Sequence, residues 1–206
     1  MDLQRFCIKV FARPSPQFDD EALIPIFHEW IRDGVPLGTL IDVTDYRHVP
    51  HGPGVMLIAH EANFAVDRAE GGRLGLLYQR KTVYPAADLH RRILGAAQQA
   101  VAAAQRLASD VRLEGNLAFD AGALRFIAND RLLAPNTEEA YGTLVPQLRR
   151  AAEAGDGEGE RRPAAPDPRD RLAVDVIGRG ASASLEYLAE RLRTALSERD
   201  HAVLAV

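Results

Sequence analysis

The sequence predicts an α+β fold: a mainly antiparallel sheet of hairpins covered on one face by helices, then a C-terminal β-α-β tail behind a disordered linker. Three observations lead there. Short runs of alternating apolar and polar residues recur through the first 130 positions, separated by Gly- and Pro-rich breaks. Residues 86–109 carry an alanine-rich stripe at helical spacing. Residues 154–170, AGDGEGERRPAAPDPRD, contain no large apolar side chain. The corresponding division is a core domain over 1–152, a linker over 153–170 and a tail over 171–206 that docks on the core or on a partner chain.

Each element follows from local pattern. LQRFCIKVFA (3–12) puts Phe6, Ile8 and Val10 on one face of a strand. Leu23, Phe27, Trp30 and Ile31 recur at helical spacing over 20–33, with Asp19 or Asp20 to cap and Gly34 to terminate. TLIDVTDY (39–46), VMLIAH (55–60) and NFAVDR (63–68) read as strands, the last continuing its predecessor or folding against it. EGGR (70–73) signals a turn, and LGLLYQRKTV (74–83) is the return strand. After the 86–109 helix, NLAFDAGALRFIAND (116–130) reads as a second hairpin. Asn136, with Glu139 completing a capping box, opens a helix running to about Arg150. In the tail, LAVDVIG is a strand, SLEYLAERLRTALSE a helix with Leu185, Leu188, Leu192 and Leu196 in a stripe, and AVLAV a final strand. About 36 residues are too few to stand alone without staples, so the tail must dock.

The totals bound the function. A 206-residue chain that is 47% hydrophobic and 26% charged is ordinary for a globular protein. A net charge of −4 argues against nucleic acid or an anionic membrane as the main partner. A single cysteine, Cys7, leaves no intrachain disulfide and no Cys/His zinc pattern. The N-terminus lacks a signal-peptide core, and no run approaches a membrane span. A soluble cytoplasmic protein without cofactor is the expectation.

The stretch HVPHGPGVMLIAHE (48–61) holds three of the six histidines. If 39–46 and 55–61 form a hairpin, His48 and His51 share its loop, and His60 lies about 20 Å away at ~3.3 Å per residue. Ligands of one zinc ion lie ~2 Å from it, so the three cannot share a metal. No metal site is expected. Strand alternation makes Ile41, Val43, Met56, Ile58 and His60 one face, continued by Phe64 and Val66 if 55–68 is a single bent strand. The opposite face then gathers Asp42, Glu61, Asn63, Tyr78 and Arg80, with Arg80 across from Asn63. Those five are the candidate binding residues, with Glu61–Arg80 as an ion pair.

The phrases IDVTDYRHVPHGPGVMLIAHE, GRLGLLYQRK and DRLLAPN resemble a bacterial family of uncharacterised proteins, over roughly residues 8–140. The resemblance implies no activity and transfers no site residue. The chain lacks a phosphate loop, a dinucleotide fingerprint and a nucleophile elbow. It therefore reads first as a non-enzymatic binding or assembly module for a small anionic or polar ligand, or as a homo-oligomer. The alternatives are a small enzyme with Glu61 or Asp42 as general base and Arg80 as anion clamp, and a metal-dependent enzyme using His48 and His51.

Overall fold

The computed structural model describes residues 1–15, 17–50, 52–68, 72–84, 88–154, 157–161, 167, 169–178 and 184–203. The first strand, β1 (Phe6–Pro14), is followed by a 3-10 turn over Asp20–Ala22 and helix α1 (Leu23–Arg32). Strands β2 (Leu40–Asp45), β3 (Val55–Ala59), β4 (Ala62–Asp67) and β5 (Gly75–Arg80) come next. Helix α2 (Leu89–Ala108), strand β6 (Leu117–Ala128) and helix α3 (Glu138–Ala154) precede β7 (Gly157–Arg161), β8 (Ala173–Gly178) and helix α4 (Leu185–Val203). Eight strands form one antiparallel sheet in the order β2-β3-β4-β5-β1-β6-β8-β7. This is the α+β architecture the sequence predicts.

The four helices contribute to one core on one sheet face. There Phe6, Ile8 and Val10 meet Phe64, Val66, Leu76, Tyr78 and Phe126. Helix α1 buries Leu23, Ile26, Phe27 and Trp30, an i, i+3, i+4, i+7 stripe worth roughly 1.5–3 kcal/mol per large side chain. The expected Asp19 cap lies one turn earlier: its carboxylate accepts from the Glu21 amide at 3.0 Å and caps the 3-10 turn that leads into α1, while Ala22 at the start of α1 itself makes no side-chain cap. Alanines 96, 97, 100, 103 and 104 of α2 are buried, and their short side chains let the helix lie close to the sheet.

The opposite face is built differently. Lys9 crosses β5 at Gly75 to reach Asp67 at 2.7 Å, with side chains 0% and 3% exposed. Arg125 holds Asp175 at 2.6 Å. Cys7, Leu77 and Ile127 form a small apolar cluster beside them. Gly75 is required at the crossing, since a Cβ there would lie 2.5 Å from the Val10 carbonyl and 3.0 Å from Lys9 Cε.

Several expectations are corrected. Residues 116–130 are not a hairpin but one strand, both ends of which pair with β1 across a register shift between Val10 and Ala12. The Asp120 carboxylate accepts the Gly122 amide at 2.9 Å, turning the AGA segment into a bulge instead of a reversal. The cap of α3 is Thr137, whose hydroxyl accepts from the Ala140 amide, while Asn136 is buried and donates to the Asp167 carbonyl. Disorder throughout 153–170 is also overturned, because 157–161 form β7; residues 155–156, 162–166 and 168 lie outside the described set. The tail's strand β8 pairs with β6 of the same chain, and its helix packs on α2. The expected last strand is instead helical at Ala202 and Val203, and 204–206 lie outside the described residues.

Candidate functional site

Two register details decide which side chains can meet. β3 and β4 form a tight hairpin reversing at His60–Glu61, with Leu57 opposite Phe64 and Ile58 opposite Asn63. A two-residue reversal puts odd residues of β3 on the same face as even residues of β4. Val55, Leu57 and Ala59 are therefore buried, whereas Ile41 is 56% exposed. On the other side, β4 and β5 pair Ala62 with Arg80, Asn63 with Gln79 and Phe64 with Tyr78. That register is one residue away from a hairpin centred on Gly71–Gly72, and one residue moves every side chain to the other face.

The five predicted site residues consequently separate. Asn63 and Asp42 lie on the face away from the helices, and Tyr78 and Arg80 on the helix-side face. The Asp42 carboxylate takes the Val43 amide at 2.8 Å, on the edge strand of the sheet. Asn63 has its side-chain oxygen buried without a hydrogen bond. Tyr78 is buried in the core, edge-on to Phe64, and burial pushes its phenol up. Arg80 donates to the Thr82 and Val83 carbonyls at 3.0 Å each and stacks on Tyr84, so the Glu61–Arg80 ion pair does not form.

Glu61 instead accepts from the Thr39 amide at 2.9 Å and the Thr39 hydroxyl at 3.1 Å. The amide bond chiefly holds its carboxyl below the usual range, the opposite of what a general base needs. His60 has its side chain 69% exposed and does not face the core as expected. His48 is exposed and stacks on Tyr46, and His51 lies outside the described residues. Among the described residues no cluster of His, Cys, Asp or Glu has metal-ligand geometry.

The structure draws attention to a different place, the loop between β2 and β3. The Tyr46 amide donates to the Gly54 carbonyl at 2.8 Å and closes residues 46–54 into a compact loop. Within it, the Val49 amide donates to Tyr46 and the Gly52 amide to Val49. Gly54 has φ +68°, and a Cβ there would lie 3.2 Å from the Val66 carbonyl and 3.6 Å from Asp20 Oδ2. Arg47 fastens the loop to the 3-10 turn. Its guanidinium bonds Asp45 at 2.8 Å and Glu21 at 3.1 Å, with Asp19 at 4.0 Å. Those bonds draw the Asp45 carboxyl down to about 2.

Between loop, turn and the end of β4 opens a cleft of about 430 Å³ lined by Phe18, Asp20, Tyr46, Arg47, Gly54 and Arg68, among others. Asp20 is half-buried, and among the described residues its carboxylate accepts no hydrogen bond and has no cation within 4 Å. Desolvation raises its pKa, with Arg68 the largest opposing charge. Two other recesses lack such a group. One, of about 50 Å³ between α2, α3, α4 and the sheet, is lined by aliphatic side chains and glycines apart from Phe126. In the other, of about 370 Å³ beside Trp30, Arg112 is already bonded to Glu29 and Asp110.

No family model, curated protein or solved structure matches the chain. From sequence, Asp20 is legible only as a possible cap and residues 47–54 only as a turn-rich connection. The available signal was a D-Y-R followed by two prolines and two glycines, the composition of a shaped loop and not merely of a polar one.

Proposed function

We propose that the protein is a binding module that holds a small polar ligand in the cleft between the 46–54 loop and the Asp20 turn. One observation supports this above the others: Asp20 is a half-buried carboxylate that, among the described residues, has no protein donor, in a cleft of ligand size. A structural carboxylate at this depth would have a partner. Assembly through the sheet edge is the weaker reading, because Asp42 already occupies the Val43 amide on β2. No helix among the described residues is long and apolar enough to cross a membrane.

A second reading rests on the raised Asp20 carboxyl, which suits proton transfer as well as binding. It replaces Glu61 and Asp42 as the acid–base candidate. A fragment screen followed by amide NMR separates the two. Binding predicts shifts at Asp20, Tyr46, Gly54 and Arg68 that Asp20→Asn abolishes, with the bound compound recovered unchanged. Chemical conversion of a bound compound, lost in Asp20→Asn, would favour the enzyme. A screen in which every hit maps elsewhere on the molecule removes both readings.

A further inference from the structure

We infer that the ligand of this cleft is a zwitterion, a small molecule carrying an ammonium group for Asp20 and a carboxylate for Arg68. This rests on the cleft being the binding site. Of the charged groups that line it, Asp20 and Arg68 are the two without an ion-pair partner among the described residues. Lys9 takes Asp67 at 2.7 Å. Arg47 takes Asp45 and Glu21, with Asp19 at its margin. Asp20 and Arg68 remain.

These two feel each other without touching. Arg68 is the largest attractive charge on the Asp20 carboxyl, yet no contact within 4 Å joins them among the described residues. The backbone of Asp20 is fixed in the 3-10 turn capped by Asp19 and bonded at its carbonyl by the Leu23 amide, while Arg68 reaches the cleft from its exposed position at the end of β4. A ligand with only an amine would satisfy Asp20 and leave Arg68 without an anion, and a ligand with only a carboxylate would do the reverse. A zwitterion completes both with charge-assisted bonds. The walls agree with a cationic group near Asp20: Phe18 and Tyr46 both line the cleft, and aromatic faces attract ammonium. About 430 Å³ suits a molecule between an amino acid and a dipeptide in size.

The test is an amide NMR titration of the full chain with glycine, β-alanine, γ-aminobutyrate and ε-aminocaproate, a series that varies the distance between the charges. Butylamine and butyrate are the single-charge controls. At least one zwitterion should shift the Asp20, Tyr46, Gly54 and Arg68 amides and bind about tenfold or more tightly than either control, as two charged hydrogen-bonding ends require. Arg68→Gln should bring that zwitterion down to the level of butylamine, Asp20→Asn down to butyrate, and Glu61→Gln should leave it unchanged. Butylamine binding the cleft as tightly as the best zwitterion would overturn the inference while leaving the cleft as a binding site. Silence of the cleft amides to all six compounds also overturns it, and if the fragment screen fails there too, the site itself falls.

Discussion

Replacing Lys9 with methionine is the sharpest test of how this sheet is held together. The ammonium lies 2.7 Å from Asp67, and both side chains are almost wholly removed from solvent. Methionine matches the length of the stem but leaves the Asp67 carboxylate buried opposite an apolar group. Removing one partner of a buried pair costs about 3–5 kcal/mol, mostly from the stranded charge. In a chain of this size each kcal/mol moves the melting temperature by about 2–4 °C, so Lys9→Met should melt ~6–20 °C below the parent. The double variant Lys9→Met/Asp67→Leu removes both charges and should recover most of that loss. Gly75→Ala gives an independent check. Its Cβ would crowd the Val10 carbonyl and Lys9 Cε, so it should destabilise the parent by at least ~1 kcal/mol despite being a conservative change in a strand. Thermal and urea unfolding at neutral pH followed by circular dichroism would measure all three. The reasoning is refuted if Lys9→Met melts with the parent, or if the double variant is no better than the single one.

Three further outcomes are expected. Because burial raises the native Asp20 carboxyl above its unfolded value of about 3.9, Asp20 weakens the fold progressively as pH rises through that interval. Asp20→Asn should therefore be as stable as the parent at acid pH and slightly more stable at pH 7, by under about 1 kcal/mol given its partial exposure; a loss of stability at pH 7 would show Asp20 to be structural. Glu61 has the opposite sign: its native carboxyl is lowered, so its contribution is present above about 4.3 and fades as pH falls through the native value. Glu61→Gln should cost under about 1 kcal/mol at pH 7 and nothing at the lowest pH, read from melts across a pH series. Leu192, 3% exposed among α2, α4 and the sheet, should not tolerate a charge: Leu192→Asp is expected to cost several kcal/mol, and a parent-like melting curve would contradict the docking of α4.

How much of this could be read from the sequence depends on the length over which each signal acts. Helices α1 and α2 were legible because their stripes repeat over several turns and the Asp19 cap is local. The fold class followed from the strands' alternation. Register was not legible, since it depends on turn length, and a single residue decides whether Tyr78 and Arg80 face the core or Asn63. The segment 120–123 was misread for a related reason: Gly122 between alanines resembles a turn, and only the shared partner β1 makes it a bulge. β7 lies in a stretch of Gly and Glu with no strand propensity, and its pairing to β8 overrides that composition. The cleft was hidden because Asp20 and Arg68 are distant in sequence and come to line one recess only once β4 lies beside the 46–54 loop.

The position of β8 has a consequence for how the chain is made. It lies inside the sheet, between β6 and β7, although it is translated after every other strand described. Until it arrives, β6 offers five consecutive residues, Ala123–Ile127, as an open hydrogen-bonding edge, and β7 has no described strand to pair with. A nascent or truncated chain ending before residue 173 would thus expose an adhesive border that the finished molecule conceals. Such a chain should aggregate, or recruit a β8-like strand from a neighbour, even though the segments forming its first six strands are already synthesised.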